Sequence, residues 1–69
     1  MNELEFIVEE DPEGGYTARA VGENIFTQGE DVDDLKAMIR DAIECHFDEP
    51  AQRPNRIKLH FVKEEVFSL

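Results

Sequence analysis

A chain of 69 residues has room for one domain, residues 1–69, and folding at this length buries roughly 60% of the surface exposed when unfolded. Seventeen acidic against seven basic side chains leave a formal charge of -10, which excludes nucleic acid and anionic membrane surfaces as direct ligands because both require positive charge. A single cysteine, Cys45, excludes an internal disulfide, and without a Cys/His cluster no structural zinc or other cofactor is expected, leaving a homodimer or higher homo-oligomer as the remedy for a small core.

Leu4-Glu5-Phe6-Ile7-Val8-Glu9 alternates, with Leu4, Phe6 and Val8 on one face, and predicts a half-buried strand. Asp11-Pro12-Glu13-Gly14-Gly15 is turn chemistry: proline sets φ and the glycines accept positive φ. Tyr16 to Val21 returns as a second strand with Tyr16, Ala18 and Ala20 on one face; the small alanines leave space for a helix above them. Gly22-Glu23-Asn24 turns again, Ile25 to Gln28 forms a short third strand, and Gly29 ends it.

Asp31 is placed to cap a helix, with Asp33 and Asp34 in the first turn where the helix dipole favours negative charge. Val32, Leu35, Met38, Ile39, Ala42, Ile43 and His46 then recur at three- and four-residue steps, predicting an amphipathic helix of about four turns. Phe47 packs near its end and Pro50 forbids continuation. Ala51 to Asn55 connects to a last alternating strand, Arg56 to Val62, with Ile57, Leu59 and Phe61 inward. Lys63 to Leu69 can prolong that strand, begin another or add a helical turn.

The predicted class is α+β: a β-β-β-α-β two-layer sandwich, one helix on a four-stranded, mostly antiparallel sheet. Its other face carries Ile7, Val21, His60 and Val62, a surface for a dimer or another partner. The N-terminus has neither the basic region nor the apolar core of a signal peptide, and no apolar run approaches spanning length, so a cytoplasmic location is expected.

No catalytic constellation is expected. Cys45 and His46 are helix neighbours whose side chains point about 100° apart, and nothing in the sequence brings His60 to them. The acidic clusters Glu9, Glu10, Asp11, Glu13 and Glu30, Asp31, Asp33, Asp34 read as a solvated turn and a dipole-matched helix start rather than a metal site. Gly14-Gly15 lacks the lysine and following helix of a phosphate loop, and Ser68 has no base.

The acidic end of the first strand, Asp11-x-x-Gly14-Gly15-Tyr16, Thr27-Gln28-Gly29 and the acidic helix start together resemble the HicB-like antitoxin family, from about Leu4 to Phe47 and more loosely through Arg56 to Val62. The resemblance implies a truncated RNase H-like sheet in the order 3-2-1-4, with the last strand parallel to the first and no catalysis. It also implies a non-enzymatic domain that masks a small basic RNA-cleaving toxin; on that reading the acidic Glu9, Glu10, Asp11 and Glu13 are the residues expected to steer the partner, with Tyr16 or Ile7 as an apolar anchor. Asn24-Ile25-Phe26 stands where family members commonly have Pro-Gly-Cys, and no DNA-binding module follows, so operator binding is not expected. The alternative is an orphan oligomeric domain, or a ligand-binding or enzymatic protein with Cys45, His46 and His60 at a subunit interface.

Overall fold

The computed structural model describes residues 2–63 and 66–69. Strands β1 (Glu3–Glu10), β2 (Tyr16–Ala20) and β3 (Phe26–Gly29) precede helix α1 (Val32–His46), a short 3-10 turn (Pro50–Gln52) and strand β4 (Arg56–Val62). The sheet order is β3-β2-β1-β4. The first three strands are antiparallel, and β4 runs parallel to β1. This is the α+β sandwich read from the sequence. The expected connection over 51–55 includes the 3-10 turn, and β3 lies one residue later than expected, because Gly29 pairs with Tyr16 inside the ladder.

Alternation places Leu4, Phe6 and Val8 beside Ala18 and Ala20 on the inner face, under Leu35, Ile39 and Ile43 of α1. Ile25 and Phe47, both near the C-terminal end of α1, are buried with this core. The small β2 side chains admit the helix backbone, and the larger β1 side chains fill the space beside it.

The helix packs against β3 and β2, and its position has a simple cause. Only Glu30 and Asp31 separate Gly29 from Val32, so α1 begins directly over the β3 edge. Four strands at about 4.8 Å spacing measure roughly 14 Å between the outer two, whereas a helix with side chains is about 10 Å across. One helix therefore leaves one edge bare, and the short link makes that edge β4. Three expectations change accordingly. Phe61 points inward in register with Val8 yet remains 50% exposed, because no helix lies over it. Met38 and His46, expected on the buried stripe, lie on exposed helix flanks, since only Leu35, Ile39 and Ile43 contact enough sheet to be covered.

Capping agrees with the sequence. Asp31 Oδ1 accepts from the Asp34 N–H at 2.7 Å, which satisfies a helix-start donor, and Asp34 Oδ2 accepts from the N–H of Glu30, the residue before the cap, at 2.9 Å. At the other end Arg53 donates from Nε to the Phe47 carbonyl (3.2 Å) and from an Nη to the Glu44 carbonyl (3.3 Å). Asp31→Ala is expected to cost about 1 kcal/mol, or roughly 4–8 °C in melting temperature for a domain this small. A melt by circular dichroism checks it, and an unchanged midpoint would contradict the cap assignment.

Of the segment 63–69, residues 64 and 65 lie outside the described residues. Val66 to Leu69 form no regular element, which answers part of the question left open by the sequence. Among the described residues no helix is long and apolar enough to cross a membrane.

Candidate functional site

The β1–β2 turn is built around Asp11. Its Oδ1 accepts from the Glu13 N–H, its carbonyl from the Gly14 N–H, and its own N–H donates to the Gly15 carbonyl, each at 2.9 Å. Gly15, at φ +82°, turns the chain into β2 where it meets β3: a side-chain carbon there would lie 2.6 Å from the Gly29 carbonyl oxygen. Gly29 in turn backs onto the helix start, since a Cβ at this position would lie 2.5 Å from Leu35 N. The Gly-Gly-Tyr and Thr-Gln-Gly segments, distant in sequence, are thus in contact through their glycines.

That contact joins the two acidic clusters. Asp11, Glu13 and Tyr16 from the hairpin and Glu30, Asp34 and Met38 from the helix start line one cleft of about 550 Å³. No basic residue contributes to its wall. Across the turn, Glu9, Glu10, Asp11 and Pro12 border a second hollow with Val62 and Lys63. All five residues singled out from sequence (Glu9, Glu10, Asp11, Glu13 and Tyr16) therefore line one of two adjoining concavities that share Asp11. Glu30, Asp34 and Met38 are additions; the signal for them was the antiparallel pairing of Tyr16 with Gly29, which the sequence does not display.

These carboxylates have different duties. Asp11 and Asp34 each commit one oxygen to a turn or cap. Glu13 and Glu30 enter those motifs through their backbone N–H groups, leaving their exposed carboxylates to set the charge of the cleft. Tyr16 is partly buried and meets the Phe61 ring edge-on, with centroids 6.3 Å apart and planes at 89°. Its ring thus stands between the cleft and Phe61.

Among the described residues, no group of three or more His, Cys, Asp and Glu side chains could hold a metal ion. Cys45 is exposed at the far end of α1, bordering a shallow depression with His46, Asn24 and Phe26. His46 Nε2 lies 3.5 Å from Glu23 Oε2. His60 shares a sheet row with Ile7 and Arg19 on the face away from α1, where its Nδ1 lies 3.9 Å from Glu5 Oε2. The sheet separates it from Cys45 and His46, so the three do not converge within one chain.

Two relatives bear on this site. The sequence is 55% identical over 49 residues, 71% of each chain, to a UPF0150 protein of Archaeoglobus fulgidus. It is 44% identical over all 69 residues, covering 96% of the relative, to a UPF0150 protein of Thermotoga maritima. No protein-family model matches the chain, and no solved structure does.

Proposed function

The chain belongs to the UPF0150 family, and from that premise we propose that it is a non-enzymatic, HicB-like antitoxin domain of the cytoplasm. Its target is a small basic RNA-cleaving protein, bound at the acidic cleft. The observation that carries this reading is the convergence of Asp11, Glu13, Glu30 and Asp34 around Tyr16 and Met38. Carboxylates on the rim steer a cationic surface and raise the rate of encounter, whereas a rigid aromatic ring and a methionine in the wall slow dissociation. Masking by this route needs no cofactor and no metal: the cleft covers the cationic surface with which the target grips RNA.

Capture with the tagged chain from its native cell extract at low salt is expected to retain a small basic protein that moderate salt releases. Replacing Glu9, Glu10, Glu13 and Glu30 together by lysine spares the turn and cap carboxylates of Asp11 and Asp34. It is expected to slow association about 10- to 100-fold at low salt and much less at high salt. Equal losses at both salts would refute steering, and recovery of the chain alone would favour the orphan oligomer.

A further inference from the structure

On the helix side of the sheet only a groove along β4, lined by Ile57 and Leu59, stays open. The opposite face has no covering layer among the described residues. Register places Phe26, Arg19, Ile7 and His60 in one row across it. To one side of that row stand Val21, Glu5 and Lys58, where the Val21 N–H donates to the Glu5 carbonyl at 2.9 Å. To the other stand Gln28, Thr17, Glu9 and Val62. Phe26 is 67% exposed and Val21 50%, so this face presents large apolar side chains to water.

Its charge differs from that of the rest of the molecule. The formal charges of Glu3, Glu5 and Glu9 are balanced on this face by those of Arg19, Arg56 and Lys58. The net charge of -10 therefore resides elsewhere in the chain. A basic partner is drawn to the acidic cleft, whereas a second copy of so acidic a chain meets least repulsion here. We infer that a second copy packs on this face, sheet against sheet. The inference does not depend on the antitoxin reading.

The charge pattern selects the arrangement. Strands β2 and β1 are the middle pair of the sheet. A two-fold axis running along the strands between them lays β1 of each copy on β2 of the other, and β4 on β3. Phe26 then covers His60 of the second copy, and Arg19 stands over its Ile7, between its Glu5 and Glu9. Those two carboxylates face Val21 and Thr17 rather than each other. A two-fold axis across the strands would stack β1 on β1 and bring Glu5 against Glu9. With the axis along the strands, Ile7, Val21, Phe26 and Val62 all enter the contact and enlarge a small core.

The test is sedimentation velocity on the full chain across a concentration series. The expected result is a dimer whose dissociation constant rises about tenfold or more in Phe26→Asp, in keeping with a large apolar side chain withdrawn from each half of the contact. The circular dichroism spectrum stays that of the native chain, because Phe26 is mostly exposed in the single chain. Arg19→Glu gathers three carboxylates and raises the constant roughly fivefold, and adding Glu5→Arg/Glu9→Arg restores it. Met38→Asp, which alters an exposed apolar residue on the cleft instead, leaves the dimer unchanged. A chain that is monomeric at every concentration overturns the inference. So does a dimer indifferent to Phe26→Asp, one weakened as much by Met38→Asp, or an Arg19→Glu variant that the double reversal fails to rescue.

Discussion

Gly29→Ala is expected to destabilise the domain by about 3 kcal/mol, the upper end of what overpacking usually costs. The added carbon would lie 2.5 Å from Leu35 N, 2.6 Å from Leu35 Cα and 3.0 Å from the Asp34 carbonyl carbon. All three are backbone atoms, so no side chain can rotate away; the first helical turn must lift by about an ångström to reach ordinary contact distance. Leu35, fully buried, would be drawn from the core with it. Total stability for a domain of this length is roughly 3–10 kcal/mol, so this one carbon consumes a large share. Gly22→Ala is the control: it has positive φ (+85°) but nothing within 4 Å, and backbone strain alone costs about 1–2 kcal/mol. Urea titration of both variants decides the matter. If they lose equal stability, the close approach of helix and strand at Gly29 is not what that glycine is for.

The same contact explains why the sequence was legible in one respect and opaque in another. Gly14-Gly15-Tyr16 and Thr27-Gln28-Gly29 can be recognised as segments because their glycines are required locally, for a turn and for a close approach. What recognition does not supply is that Gly15 backs onto Gly29, which brings Glu30 and Asp34 to the side of Asp11 and Glu13. In the sequence, the second cluster has a sufficient local cause in Asp31 capping and the helix dipole, so nothing calls for a shared cleft. Periodicity likewise assigns the inner face of every strand but carries no information about the width of the covering layer. Phe61 alternates correctly and is still half-exposed. The two-residue link Glu30-Asp31 is the available clue, because it fixes where the helix starts and therefore which strand it cannot reach.

Uneven coverage of the sheet also sets the second large effect. Phe6 and Leu59 are register partners on adjacent strands, both pointing to the helix side. Phe6 is fully buried with Ala20 on its other flank, whereas Leu59 lies in the groove that α1 does not cover. Phe6→Ala is expected to cost about 3–5 kcal/mol, the transfer loss plus a cavity that cannot collapse between strands held in register. Against a total of roughly 3–10 kcal/mol, this single substitution removes about a third or more of the stability. Leu59→Ala removes a side chain that water already reaches, and about 1 kcal/mol is expected, near half the value for full burial. Urea titration of the two variants at low protein concentration makes the comparison. A large difference between the two alanine variants ties the stability of the fold to the uneven coverage of the sheet by α1. Equal costs would mean that β4 is covered as well as β1, and that helix width and link length do not decide which edge is bare.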